Sequence, residues 1–332
     1  MKRTSKLFAY IIVFVLAFSL LCACSGSGAA SGGTGGGTNG IVADTGSDVS
    51  EVVTVPDSSG MFTDADKTPS YDAASAVAIS IDGGAVTADS DTVSALGGKA
   101  TITEPGTYIV SGSGSNVTII VDVPSAITEK VRLVLSGASI VNDDFAAIYI
   151  KSADKTFIVL EGENSLAVTG SFAAIDYNKV DGVIFAKDNV VLQGEGSLTI
   201  TSSKHGIVGK DDVKITGGTI SVTAANHGIE ANDSVRVASA SLTIVSNKNG
   251  IHVENTYDAT KGYFYMESGS LKITSGYEGI DASGAVEITG GTTDITSGDG
   301  SGKTLSSSDV STKGVKSSAD MLIYGGEVST TD

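Results

Sequence analysis

From residue 205 onward the chain alternates apolar and polar positions in short bursts with a period of two. Val213, Ile215, Ile220 and Val222 are interleaved with Lys214, Thr216, Thr219 and Ser221. The same burst returns as Val235, Val237, Leu242 and Ile244, then as Phe264, Met266, Leu271 and Ile273. Val286, Ile288 and Ile295 follow, and then Met321, Ile323 and Val328. Alternation over four to six residues predicts strands with one buried face, and no helical period competes with it.

The bursts sit in a larger repeat. His205-Gly206-Ile207, His227-Gly228-Ile229 and Asn249-Gly250-Ile251 open three copies, with glycines twenty-two residues apart. Gly279 and Gly314 open later copies that carry insertions, and Ile184 to Val190 matches Ile207 to Val213 upstream. Gly217-Gly218, Gly290-Gly291 and Gly325-Gly326 mark one recurring corner. Three short strands in about 22 residues predict an all-β, single-stranded, right-handed parallel β-helix. A leucine-rich repeat lacks its Leu/Asn pattern here. The β-helix is expected over 73–332, with 73–104 closing its N-terminal end and no C-terminal cap before Asp332.

Composition extends the picture. Glycine is 42 of 332 residues and proline only 4, which suits many strands joined by tight turns. The formal charge of −17 excludes a nucleic-acid partner and favours divalent cations. Both cysteines lie in the first 24 residues, so the remainder has no disulfide framework. Lys2, Arg3 and Lys6 precede an apolar run from Leu7 to Leu21, too short for a comfortable membrane span. The run ends in Leu21-Cys22-Ala23-Cys24, which resembles the signal of bacterial lipoproteins. Residues 1–23 are then a signal peptide, and Cys24 is the lipidation site on the extracellular face of a bacterial membrane. Residues 24–72 read as a flexible Gly/Ser-rich and acidic tether.

Candidate chemistry follows the repeat. Asp188, Asp211 and Asp233 take one offset from the glycines, with Asp212 adjacent, and form an acidic column. Carboxylates ~4.8 Å apart repel unless a cation intervenes, and Ca²⁺ takes six to eight oxygens. Aspartate also suits a plain solvated turn. Glu230, His252 and Asp281 share a second column, with Glu278 beside it, as a second candidate for calcium or a sugar cleft. His205 and His227 share a third, either a solvated ladder or a transition-metal pair without a third ligand. Lys187 and Lys210, next to the aspartates, are the candidate catalytic residues, since a polysaccharide lyase needs a base and a cation. Tyr257, Tyr263, Tyr265 and Tyr277 are the candidate carbohydrate-stacking residues, with Tyr263 and Tyr265 expected to point outward.

Residues 106–122 (GTYIVSGSGSNVTIIVD), the 130–155 segment, the Lys187-Asp188 and Lys210-Asp211-Asp212 turns, and EGIDASGAVEITGG together resemble one group. It is the bacterial carbohydrate-binding β-helix family first defined on a clostridial cellulose- and pectin-binding protein. The resemblance covers roughly residues 75–332 and implies a polysaccharide-lyase-like fold, calcium as cofactor and a polysaccharide partner. The absence of tryptophan argues against a flat, cellulose-type aromatic platform. The expected function is a monomeric cell-surface lipoprotein that binds cellulose-like or acidic glycans through a calcium-stabilised β-helix. A calcium-dependent pectate-type lyase is the alternative, and a structural or adhesive spacer the third reading.

Overall fold

The computed structural model describes residues 58–298 and 311–331. The protein is all-β, with a ten-stranded and an 18-stranded sheet in which nearly every pairing is parallel. Each repeat contributes three strands, such as His205–Gly209, Asp212–Ile215 and Thr219–Ala224. Each strand pairs with its equivalent one repeat later. Ile207 lies opposite Ile229, Val213 opposite Val235, and Ile220 opposite Leu242. The twenty-two-residue spacing in sequence is therefore the hydrogen-bonding register in space. The seven-residue insertion after Gly250 leaves that register intact, because Val235 still meets Phe264.

First strands of the repeats build the ten-stranded sheet; second and third strands run as two ribbons of the larger one. These two ribbons branch from one long strand, Val131–Asn142. Its first half pairs with Lys155–Glu161 and its second half with Glu163–Val168. A bulge makes the branch: Ser136 and Gly137 together oppose the single residue Ser111, and Gly137 has φ +73°. A bulged strand bends, and a positive φ favours glycine at the bend.

All three ribbons turn their apolar side chains into one core, which contains Ile207, Val213, Ile215, Ile220 and Val222. Burying each such side chain contributes roughly 1.5–3 kcal/mol. The repeat glycine is required by that packing. A Cβ on Gly206 would run into the Val222 side chain and the Gly228 carbonyl. Residues 77–102 form two hairpins, Val77–Gly83 with Ala85–Ala88 and Val93–Leu96 with Lys99–Ile102. Each hairpin joins one sheet in parallel, and both place side chains in the common core.

Two expectations are corrected. Met321 and Ile323, expected in the core, are 46% and 51% exposed. Among the described residues their strand pairs on one side, with Val286–Ile288, so neighbours cover it from one direction. The expected flexible tether is also not uniform. Residues up to 57, with the signal peptide and Cys24, lie outside the described residues. Residues 58–72, however, dock as a strap along the outer face of the second ribbon. Thr63 caps a single turn of helix, Asp64–Lys67, and buries Asp66 at 0% exposure. The Asp66 carboxylate accepts from Lys155 Nζ at 2.9 Å and Lys214 Nζ at 2.8 Å. Arg236 donates to the Met61 carbonyl at 2.8 Å, and Lys67 pairs with Glu267 at 2.7 Å. The strap is polar in composition, yet its charges complement an outward column of Lys214, Arg236 and Tyr265.

Candidate functional site

The ten-stranded sheet shows the richest chemistry on its outer face. Ile207, Ile229, Ile251 and Ile280 point inward with no exposure, so the next residue of each strand points out. In register these outward residues are Tyr149, Phe185, Val208, Glu230, His252, Asp281 and Lys316. The column changes character along its length. Its apolar half packs under Phe145, Ala146 and Val180, while its polar half has no such apolar cover among the described residues.

The histidines come together there. The rings of His205 and His227 stack at 5.2 Å, and those of His227 and His252 at 4.8 Å. The sequence separates His252 from the other two, placing it with Glu230 and Asp281. The backbone keeps that register, and the ring still reaches His227. Burial, followed by the neighbouring rings of His252 and His205, lowers His227 to about 3. Burial also lowers His205. Burial opposes protonation of His252, but its contact with Asp281 at 3.2 Å outweighs burial and raises it. Burial alone would raise Asp281, yet His252 and Lys316 hold its carboxyl at about 2. Glu230 is lowered likewise, burial being outweighed by His205 and Lys210.

The second calcium candidate therefore has cations already in place. Lys210 lies 3.2 Å from Glu230, and Lys316 lies 3.0 Å from Asp281 and 3.6 Å from the buried Glu278. Lysine thus already offsets the charge of Glu230, Asp281 and Glu278. The first column divides. Asp212 turns to the strap side, where Arg236 grips it with two nitrogen–oxygen contacts at 3.0 and 3.1 Å. Asp188 accepts the Ala153 amide at 3.0 Å, and Asp233 accepts Lys261 at 2.6 Å and Asn255 at 3.2 Å. Asp211 has no lysine or arginine ion pair among the described residues. Burial, then the charges of Asp233 and Asp188, raise its carboxyl. Such a carboxylate between two others is what a divalent cation relieves. Asp211, flanked by Asp188 and Asp233, offers the oxygen donors that calcium takes, while Lys261 already holds Asp233 and Arg236 holds Asp212.

The lysines flank this column without entering it. Lys187 Nζ sits 5.9 Å from the Tyr177 ring centre, and Lys210 Nζ 5.7 Å from that of Phe185. Among the candidate tyrosines, Tyr257 is 100% exposed and Tyr277 37%. Tyr265 is 1% exposed, which corrects its outward presentation. It does point away from the core, but Phe62 of the strap covers it at 6.0 Å between ring centres. Tyr263 is half-buried, between Arg236 and Met61. Tyr177, 85% exposed on the loop between Val168 and Gly182, is the aromatic that the repeat pattern hides. The one available signal was an insertion carrying Asp176-Tyr177-Asn178-Lys179. A separate open groove lies where the strap meets the glycine corners, walled by Tyr71, Glu161, Glu163 and Glu195.

A family model described as "carbohydrate-binding domain-containing protein" matches residues 96–332. A protein of Acetivibrio thermocellus with the same description is 42% identical over 192 residues. That alignment covers 56% of this chain and 66% of the relative, so the chain spans just under two thirds of the relative's length. A solved structure, the polysaccharide lyase-like protein from C. thermocellum as a gadolinium derivative, is 32% identical. It superposes with a TM-score of 0.67, covering 76% of this chain and 99% of that one.

Proposed function

This chain belongs to the family of carbohydrate-binding domain-containing proteins, and from that premise we propose that it is a surface-anchored, monomeric lipoprotein that holds a polysaccharide. The polysaccharide is cellulose-like or an acidic plant or envelope glycan. The fold we propose is a right-handed parallel β-helix. Its support is the one-repeat pairing of three strand sets around a common core. The observation that carries the functional reading is the outer face of the ten-stranded sheet. At its edge Lys187, beside the Asp188 turn, lies 5.9 Å from the ring centre of the exposed Tyr177, and the Asp188, Asp211 and Asp233 turns recur about one repeat apart. Stacking aromatics and regularly spaced charges suit a polymer that also repeats.

Calcium is part of the proposal, held by Asp188, Asp211 and Asp233. Gadolinium, carried by the solved neighbour, is likewise a hard, oxygen-seeking cation. An ion bound only by the folded state stabilises it by about 2.7 kcal/mol at a hundred times Kd. Calcium should therefore raise the melting temperature beyond a sodium chloride control of equal ionic strength, and magnesium should not match it. Asp211→Asn with Asp233→Asn should remove the calcium-specific rise. A double variant responding like the parent would place the ion elsewhere.

The anchor is tested separately. The mature protein should partition into detergent and label with palmitate, and Cys24→Ala should abolish both. Unchanged membrane retention of that variant would contradict the lipoprotein reading.

The lyase reading is favoured by one observation, Lys187 immediately preceding the Asp188 turn. Incubation with polygalacturonate and calcium separates the two. A binding protein co-sediments with the polymer and leaves it intact. A lyase generates the ultraviolet absorbance of unsaturated uronate, lost with chelator. Neither retention nor product on any glycan would leave the spacer.

A further inference from the structure

The three-histidine stack contains donors that the glycan and calcium readings do not use. His205 is 6% exposed, and its Nδ1 is buried without a hydrogen-bond partner. That nitrogen lies 3.3 Å from Glu230 Oε2, close but misaligned for a hydrogen bond. His227 completes the group: one donor atom from each of His205, His227 and Glu230 lies within 4.8 Å of the others.

We propose that His205, His227 and Glu230 form a site for one divalent transition-metal ion of the zinc, nickel or cobalt class, separate from the aspartate turns. The donor set decides the metal class. Two imidazoles and one carboxylate suit zinc and its neighbours, whereas calcium seeks oxygens alone. Tetrahedral ligands at about 2.0–2.1 Å from zinc stand roughly 3.3 Å apart. His205 Nδ1 and Glu230 Oε2 already stand at that separation. His227 must close the remaining distance; its Nδ1 accepts the Asn249 backbone amide at 3.2 Å.

The surroundings are those of a metal site. Lys210 holds Glu230 through Oε1 at 3.2 Å and leaves Oε2 for the ion. The other ring nitrogen of His205, Nε2, faces the Asp181 carboxylate at 3.7 Å. Metal-bound histidines commonly direct their second nitrogen at a carboxylate in this way. Three protein ligands leave a fourth position for water or for a ligand oxygen.

The test uses the untagged mature chain with calcium held at saturation. Zinc titrated against a competing chelator should bind at one equivalent, and cobalt(II) in its place should give visible bands of low-symmetry coordination. His205→Gln, His227→Gln and Glu230→Gln should each weaken zinc by at least about tenfold. The Asp211→Asn, Asp233→Asn pair should leave zinc binding unchanged. Equal zinc affinity in a folded His205→Gln, His227→Gln variant would overturn the site and reduce the effect to the acidic surface. Should the variants not fold, the parent still decides. Zinc should shield the half-buried His227 from diethylpyrocarbonate in peptide mass spectra, and equal modification of His227 with and without zinc would overturn the proposal.

Discussion

Ile215→Asp should yield no cooperatively folding protein. Ile215 has no exposure, lies in register between Leu192 and Val237, and belongs to the core shared by all three ribbons. The substitution loses roughly 1.5–3 kcal/mol of apolar burial. It also places a carboxyl among aliphatic neighbours, at a further several kcal/mol. Together these approach the whole stability of an ordinary domain, about 5–15 kcal/mol. Stacked repeats make the damage spread, because each coil is held by its neighbours. Ile323→Asp is the matched control. Half exposed in a strand paired on one side, it should change stability by no more than about 0.5 kcal/mol. The check is thermal unfolding by circular dichroism with size-exclusion chromatography. Parent-like melting of the Ile215 variant would mean that the rung register is wrong.

Asp66→Ala should release the strap and destabilise the protein by about 3–5 kcal/mol, the range for removing one partner of a buried ion pair. Lys214 is 7% exposed and would be left without the carboxylate, and Lys155 would lose the same partner. The double variant Asp66→Ala, Lys214→Met should recover part of the loss, since it leaves no buried unpaired ammonium. Burial pushes the Asp66 carboxyl up, but hydrogen bonds from Lys214, the Thr63 amide and Lys155 carry it down from 3.8 to about 2. A depressed acid contributes stability that is complete above its unfolded value and is lost as pH falls through the folded value. The contribution, on the order of 2 kcal/mol, should thus be intact above pH 3.8 and lost toward pH 2. Limited proteolysis across 58–72 reads the strap directly. The parent should become cleavable in that acid window, and Asp66→Asn should be cleavable at neutral pH as well. A strap equally protected in parent and variant would show that its aromatic contacts suffice.

The sequence carries the fold because parallel pairing one repeat apart writes its register as a repeat. Identical spacing between Gly206, Gly228 and Gly250 becomes identical pairing, and period-two alternation becomes a buried face. The acidic turns were legible for the same reason. The strap was not, because its hold is long-range: Asp66 meets Lys155 and Lys214, 89 and 148 residues away. Tyr265 was misread through that gap, since alternation tells which face it is on but not what covers the face. The contact of the His252 ring with His227 is hidden in sequence for a related reason. The residue's backbone register belongs with Asp281, and only the length and tilt of the side chain bring it over His227. The Glu230 column likewise gave no hint in sequence that Lys210 and Lys316 would already neutralise it.

Glycan retention tests the central claim most directly. The mature chain is run through gels or beads carrying polygalacturonate, cellulose and other envelope glycans, in calcium and in chelator at matched ionic strength. Three proteins are compared: the parent, the Asp211→Asn, Asp233→Asn pair, and a Tyr177→Ala, Lys187→Ala pair. The account predicts saturable retention of the parent on at least one glycan. It predicts weakened retention in chelator and in the aspartate variant, and loss in the Tyr177, Lys187 variant with the melting temperature unchanged. No retention of the parent on any glycan, or equal retention of all three proteins, would contradict it.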